Sequence, residues 1–92
     1  MSSMLRHTRR KMLSLLLELQ SRGISLVQPN VVRSYFLAYE PDIFFSYDSA
    51  RRNVRRNLTE LAELGLLRRY KLSNKRTVYK LTDAGIKVAK EL

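Results

Sequence analysis

Four arginines fall within six consecutive positions of this sequence, at Arg51, Arg52, Arg55 and Arg56, and no acidic residue separates them. A guanidinium is always charged in proteins, and its planar fork can grip a phosphate or the edge of a guanine with two hydrogen bonds. A cluster of this kind therefore indicates a surface that binds a polyanion.

The charge of the whole chain supports the same interpretation. The 92 residues contain 18 Lys and Arg against 8 Asp and Glu, which gives a net charge of +10. Residues 51–80 hold ten of these cations and two acids, so +8 of the +10 lies in one 30-residue stretch. Such a concentrated basic region is typical of proteins whose partner is a nucleic acid.

The arginines lie on a predicted helix from about Tyr47 to Leu64, capped by Ser46 or Asp48 and ended by Gly65. Apolar residues recur at helical spacing and define its buried stripe: Ala50, Val54, Leu58, Leu61 and Leu64. The opposite, polar face is predicted to contact the partner through Ser49, Arg52, Arg55, Arg56 and Thr59, with Arg51 and Asn53 at its flanks.

The arginines form two like-charge pairs, Arg51 with Arg55 and Arg52 with Arg56, each four residues apart. Each pair costs an isolated helix about 0.2–0.5 kcal/mol. The alternative is an ordinary solvated helix face, but such faces usually mix charges of both signs. Phosphates that supply the missing counter-charge explain the cluster better.

Three more helices and a hairpin are expected around this helix. The first helix covers about Thr8 to Arg22 and ends at Gly23, and Ile24–Val27 is either a minimal strand or a linker. A second helix covers about Asn30 to Tyr39 and buries Val32, Phe36 and Tyr39.

After Gly65 the apolar period changes to that of strands, over residues 66–72 and 77–81. The polar turn between them predicts an antiparallel hairpin, whose tip residues Asn74, Lys75 and Arg76 are candidate contacts to phosphates or a minor groove. A last helix, capped by Thr82 or Asp83, runs to Lys90.

Two segments carry a resemblance to a known family. Residues 58–68, LTELAELGLLR, resemble the end of a recognition helix that turns into a wing strand, and residues 78–85, VYKLTDAG, are similar to the exit from the wing in MarR-like and archaeal regulators. The chain thus resembles the winged helix-turn-helix family. The resemblance implies a mainly α fold with a small antiparallel β-hairpin, in the order α-(β)-α-α-β-β-α.

The same resemblance implies a function, namely sequence-specific binding of double-stranded DNA by a transcriptional regulator. The helix at about 47–64 would enter the major groove, and the wing at about 73–76 would touch the flanking backbone or the minor groove. Two rival functions stay open: a protein-interaction module within a larger assembly, and an RNA-binding protein that reads A-form shape.

The apolar residues of the first helix spread over a wide arc, which favours a second buried contact. We therefore expect a homodimer whose seam includes Leu13, Leu16 and Leu17. The N-terminal basic residues (Arg6, Arg9, Arg10 and Lys11) form either an arm or first-turn phosphate clamp or only a solvated start of this helix. The aromatic residues between Tyr35 and Tyr47 are expected to fill the core rather than to stack on bases.

Composition excludes several function classes. The absence of cysteine removes disulfides, thiolate catalysis and zinc-finger sites, and a single histidine leaves little for a metal. No phosphate-cradling glycine motif occurs, so we expect neither an enzyme nor a cofactor. No apolar run is long enough for a membrane span. The sequence predicts one domain over residues 1–92, with residues 1–7 as a mobile arm, in an intracellular, cytoplasmic or nucleoid-associated protein.

Overall fold

The computed structural model describes residues 7–40 and 47–92. Its elements are helices α1 (His7–Ser21), α2 (Pro29–Tyr39) and α3 (Tyr47–Glu63), strands β1 (Leu67–Lys71) and β2 (Thr77–Leu81), and helix α4 (Asp83–Lys90). The predicted order is confirmed. His7, the last residue of the predicted arm, begins α1. The rest of that arm, the cap at Ser46 and the aromatic residues Phe44 and Phe45 lie outside the described residues.

Glycines end α1 and α3 in the same way. Gly23 has φ +90° and Gly65 has φ +81°, a backbone region that other residues rarely adopt. Beyond each glycine the next N–H bonds back into the helix, from Ile24 to the Leu19 oxygen at 2.9 Å and from Leu66 to the Leu61 oxygen at 3.0 Å. This is the hydrogen bond that closes a Schellman motif, and it turns the chain sharply.

The hairpin is antiparallel, and its register pairs Leu67 with Leu81 and Lys71 with Thr77. On its other edge, β2 exchanges two backbone hydrogen bonds with Val27. The Tyr79 N–H donates to the Val27 oxygen at 2.8 Å, and the Val27 N–H donates to the Tyr79 oxygen at 2.9 Å. The segment before α2 is therefore a minimal strand rather than a linker. It anchors the start of α2 beside the wing.

The buried stripe of α3 is confirmed at four of its five predicted positions. Ala50, Val54, Leu58 and Leu61 are at most 1% exposed. The prediction is wrong for Leu64, which is 38% exposed. α3 ends at Glu63, and the turn at Gly65 carries Leu64 away from the core while Leu66 packs against it.

Helix α2 buries Val32 and Phe36 completely. The prediction that Tyr39 is buried is wrong, because this last residue of α2 is 70% exposed. Its ring lies 4.9 Å from that of the half-buried Tyr35, which in turn meets Phe36 edge to face at 5.8 Å. Of the aromatic residues predicted to fill the core, Phe36 does so, and Tyr35 packs at its edge.

The expected dimer seam on α1 is wrong for two of its three residues. Leu13 and Leu16 are 0% and 3% exposed within one chain, and Leu17 is half-buried against the same core. The wide apolar arc of α1 is covered from several sides at once, because α4, α3 and β2 all contact this helix. The wide apolar arc of α1 is therefore accounted for without a second subunit.

Helix α4 begins at the cap predicted for Thr82, whose Oγ1 accepts a hydrogen bond from the Gly85 N–H at 3.0 Å. The same hydroxyl donates to the Gly65 oxygen at 2.7 Å, and the Thr82 N–H donates to the Leu66 oxygen at 3.1 Å. These bonds dock the first turn of α4 onto the end of α3. Both elements that carry the basic residues, α3 and the hairpin, are thus tied to α4.

Candidate nucleic-acid interface

The predicted charged face of α3 is presented to solvent. Arg51, Arg52, Arg55 and Arg56 are all exposed, on the side away from the buried stripe. In residues 7–40 and 49–92, no carboxylate forms an ion pair with the guanidinium groups of Arg51, Arg52 or Arg55. The surface that these three arginines form is therefore strongly cationic.

The first acid that follows this cluster in sequence is used elsewhere. Glu60 forms an ion pair with Arg9 of α1, whose Nε also donates to the Asn57 Oδ1 at 3.0 Å. The side chains of Arg9 and Glu60 are 16% and 34% exposed, so the pair is partly shielded from water. Glu60 therefore braces α3 against α1 instead of neutralising Arg56.

The predicted role of the N-terminal basic residues is corrected by the same contacts. Arg9 is engaged with α3, and Lys11 forms an ion pair with Glu40 at the end of α2. Both residues therefore connect α1 to another helix of the same chain. Neither of the two predicted roles, a phosphate clamp or a solvated start, describes them. Arg10 is exposed, and Arg6 lies outside the described residues.

The uncharged polar residues of the predicted face make hydrogen bonds within their own helix. The Asn53 Nδ2 donates to the Ser49 backbone oxygen at 2.7 Å, and the Asn53 Oδ1 accepts from Arg56 at 2.6 Å. The Thr59 hydroxyl donates to the Arg55 backbone oxygen at 2.9 Å. Ser49, Asn53 and Thr59 are half-buried, so they are less accessible to a partner than the exposed arginines are.

The hairpin tip is a compact turn with an unusual residue in it. Lys75 donates its N–H to the Leu72 oxygen at 2.9 Å, and Leu72 donates to the Arg76 oxygen at 2.8 Å. This pattern places Lys75 at φ +67°, the left-handed position that such three-residue loops usually give to glycine. The Asn74 Oδ1 accepts from the Arg76 N–H at 3.0 Å, so Asn74 shapes the turn.

An open groove of about 440 Å³ joins the hairpin tip to α3 and to the start of α2. Its described lining consists of Gln28, Pro29, Asn30, Arg33, Arg51, Arg55, Lys75, Arg76 and Thr77. Five of these side chains are cationic, and none of the described lining residues is acidic. We call this surface the basic groove.

The basic groove brings together only part of the predicted site. Arg51 and Arg55 of α3 meet Lys75 and Arg76 of the hairpin there, whereas Arg52 and Arg56 are outside its lining. Sequence reasoning missed Arg33, which is half-buried on α2. The signal available was weak, because a single arginine beside an apolar helix stripe forms no recognisable pattern in the sequence.

Strand β1 adds a further cationic surface. Arg68, Arg69 and Lys71 are all exposed, because β1 is the outer strand of the hairpin and only Leu67 reaches the core. Arg68 lies opposite Lys80, and its guanidinium is 5.8 Å from the centre of the Tyr70 ring. These residues extend the positive field of the basic groove along the hairpin.

Solved structures of ZitR from Lactococcus lactis share this architecture. A single-substitution variant superposes with a TM-score of 0.68 at 21% sequence identity, covering 99% of this chain and 53% of the ZitR chain. A double-substitution variant in its apo form gives the same score and identity over 95% and 55% of the two chains. The chain has the winged-helix fold.

The wing of this fold is the β1–β2 hairpin, and α3 is the helix that precedes it. The chain spans about half the length of the ZitR chains it matches. No protein-family model and no curated protein matches its sequence. The likeness therefore identifies the fold alone.

Two other kinds of site are not found among the described residues. No group of three or more metal-ligating side chains comes together in residues 7–40 and 47–92. None of the helices described there combines the length and apolar character that a membrane span requires. The strongest chemical feature of this part of the chain is its cationic surface.

Proposed function

We propose that this protein is a transcriptional regulator that binds double-stranded DNA in a sequence-specific manner. Helix α3 enters the major groove, and the wing contacts the flanking backbone or the minor groove. The observation that carries the proposal is the arginine face of α3, which is exposed and continues into the basic groove. No carboxylate of residues 7–40 or 49–92 forms an ion pair with it. The winged-helix fold of the ZitR structures supports the same assignment.

The residues on α3 divide into two roles in this proposal. Arg52, Arg55 and Arg56 are exposed and long enough to reach base edges or phosphates, with Arg51 at the side nearest the wing. Ser49, Asn53 and Thr59 are less exposed than the arginines, and Asn53 and Thr59 donate hydrogen bonds to backbone oxygens of the helix. They therefore contact DNA only where the base edges come close to the helix surface. Asn74 supports the wing turn, while Lys75 and Arg76 contact the DNA.

We also propose that the regulator acts as a homodimer. Since Leu13 and Leu16 are buried within one chain, the dimer would use a surface other than those two side chains. Two half-sites would then lie about one helical turn of DNA apart, roughly 34–36 Å. Light scattering of the protein with and without duplex measures the number of chains in each species.

The first experiment is a titration of a labelled random-sequence DNA duplex, followed by fluorescence anisotropy at three salt concentrations. Each phosphate neutralised by a cation adds about −0.9 to the slope of log affinity against log salt. With five cations in the basic groove and more on α3, we expect a slope of about −4 or steeper. A matched RNA duplex serves as competitor.

Three outcomes of this titration are distinguishable. Steep salt dependence with a preference for DNA agrees with the proposal. Tighter binding of the RNA duplex assigns the surface to A-form RNA. No binding of either duplex at low salt would contradict the proposal and move the protein-interaction module to first place.

The backbone of Lys75 provides a second test, in which stability and binding should change in opposite directions. A non-glycine residue at positive φ carries a backbone cost of about 1 kcal/mol, which glycine avoids. Lys75→Gly should therefore raise the free energy of unfolding by about 0.5 kcal/mol, after the added flexibility of the unfolded chain is counted. Loss of the cation should weaken duplex binding about three- to tenfold.

The control is Lys75→Arg, which keeps both the charge and the backbone cost, and should keep stability and affinity near the wild-type values. Denaturant unfolding and anisotropy measure the two quantities. If Lys75→Gly stabilises the protein and binds the duplex as tightly as wild type, the wing tip takes no part in DNA binding.

A further inference from the structure

Strand β1 forms one edge of the small sheet. Its neighbour β2 pairs with β1 on one side and with Val27 on the other, so the order across the sheet is Val27, β2, β1. Within residues 7–40 and 47–92, no segment pairs with the outer side of β1. An edge strand presents unpaired backbone N–H and C=O groups, to which a further extended segment can add.

The register of the hairpin shows which backbone groups point outward. In an antiparallel ladder, residue pairs that exchange hydrogen bonds alternate with pairs that do not. Both backbone groups of Tyr79 bond to Val27, on the side away from β1. Arg69, which lies opposite Tyr79, therefore belongs to a pair without hydrogen bonds, and so does Lys71 two positions later. The N–H and C=O groups of Arg69 and Lys71 thus point away from β2.

The side chains of the same stretch alternate between the two faces of the sheet. Tyr70 and Leu72 lie on the face away from the core and are 39% and 38% exposed. Arg69 and Lys71 share the other face with the core residue Leu67, but both are exposed. A segment that pairs with β1 therefore meets apolar side chains on one face and cations on the other.

The charge of the hairpin determines which segments can pair there. Residues 67–81 contain six cations and no acid. Two copies of β1 placed edge to edge would bring cations of one chain close to cations of the other, and like charges on neighbouring strands destabilise a sheet. This disfavours a second copy of the chain. Carboxylates beside Arg69 and Lys71 would instead offset their charge.

A nucleic acid matches this edge less well than a protein segment does. Phosphates can use the cations, but a sugar–phosphate backbone lacks the alternating N–H and C=O groups with which a strand edge pairs. It also offers little apolar surface to cover Tyr70 and Leu72. Residues 69–72 are outside the described lining of the basic groove, so the edge of β1 is a separate surface.

We propose that the free edge of β1 is a docking site for an extended segment of a partner protein in which acidic and apolar residues alternate. The segment adds a strand to the sheet through the outward backbone groups of Arg69 and Lys71. Its carboxylates lie beside these two cations, and its apolar side chains cover Tyr70 and Leu72. This interaction goes beyond the proposed binding of DNA and does not depend on it.

The first test is amide hydrogen exchange of the full chain, with and without a peptide in which glutamate and valine alternate. At saturation the peptide should slow exchange of the Arg69 and Lys71 amides about tenfold or more, because their N–H groups become hydrogen-bonded. The Tyr70 amide, which the register directs toward β2, is the internal reference and should change little. A control peptide with the same composition, but with all its glutamates before its valines, should give no such protection.

The second test compares Lys71→Pro with Lys71→Gln by anisotropy of the labelled alternating peptide. Both variants lose the cation, but only proline removes the outward N–H, and proline is tolerated on an edge strand where that N–H is not used by the sheet. We expect glutamine to weaken peptide binding about threefold, and proline to weaken it about tenfold further through the lost hydrogen bond. If Lys71→Pro fails to fold, the exchange experiment on the wild-type chain still decides.

The inference is overturned if neither peptide protects the Arg69 and Lys71 amides, if both peptides protect them equally, or if the two Lys71 variants bind the alternating peptide equally. Protection that rises with protein concentration in the absence of peptide would contradict it by assigning the edge to a second copy. Protection by a random DNA duplex, and not by the peptide, would assign the edge to nucleic acid. The peptide measurements contain no DNA, so their failure leaves the proposed function untouched.

Discussion

Replacing Arg52 and Arg55 together with glutamine is expected to weaken duplex binding by about 100-fold or more at 0.1 M salt. Each arginine contact to a phosphate or a base edge contributes about 1–3 kcal/mol, and 1.4 kcal/mol corresponds to a factor of ten. Both side chains are exposed on the partner-facing side of α3, so the change removes charge without opening the core.

The same variant should not be less stable than wild type. It removes one member of each like-charge pair, Arg51 with Arg55 and Arg52 with Arg56, and each pair costs about 0.2–0.5 kcal/mol in a helix. Circular dichroism should therefore show an equal or slightly higher Tm, while anisotropy shows the loss of binding. A loss of stability of the same size as the loss of binding would contradict the assignment.

The matched control for this double variant is Lys87→Gln with Lys90→Gln. It removes two positive charges from exposed positions on α4, outside the α3 face and the basic groove. If the reduction in net charge alone weakened binding, both double variants would lose the same affinity. We expect the α4 variant to stay within about threefold of wild type, since it removes no direct contact.

Gly85→Ala should cause the largest loss of stability among single substitutions that add only one methyl group. A Cβ built at this position would lie 2.0 Å from the backbone oxygen of Leu66 and 3.1 Å from the Leu81 Cδ2. Because the first obstacle is backbone, it cannot move aside as a flexible side chain does. The turn of α4 would have to lift away from the end of α3 and lose its hydrogen bonds there.

The sign of this effect separates packing from helix propensity. Propensity alone predicts that alanine stabilises a helix relative to glycine by about 1 kcal/mol. Overpacking a tight contact costs about 1–3 kcal/mol, and more when backbone must shift. We expect a net loss of about 3 kcal/mol, which in a domain of this size lowers Tm by roughly 12–24 °C.

The neighbouring residue provides the control for Gly85→Ala. Ala84 is exposed on the same turn, so Ala84→Gly should cost no more than about 1 kcal/mol. Denaturant unfolding of both variants measures the difference. An unchanged or raised Tm for Gly85→Ala would show that α4 is not held against Leu66 in solution.

Much of the secondary structure could be predicted because its signals are local. Gly23 and Gly65 end their helices through a backbone conformation that glycine adopts readily, and Thr82 caps α4 through its own hydroxyl. The apolar spacing from Ala50 to Leu61 located the buried side of α3, and thereby the exposed side. These inferences failed at helix ends, where Tyr39 and Leu64 leave the stripe because the helix stops.

The predicted dimer seam failed for a different reason. The apolar arc of α1 could be measured from the sequence, but the number of elements packed around that helix could not. With α3, α4 and β2 all against it, a single chain buries Leu13 and Leu16. The width of an apolar helix face indicates how much surface must be buried, but it does not indicate whether the same chain or a second subunit buries it.

By itself, the sequence determined the order of the elements, the glycines that stop α1 and α3, and the side of α3 that carries the arginines. Each of these depends on residues within one or two helical turns of one another. Only the tertiary structure decided that Glu60 is paired with Arg9, that Gly85 has no room for a side chain, and that Arg33 joins the wing in the basic groove. These facts depend on contacts between residues far apart along the chain, which form only when the elements pack together.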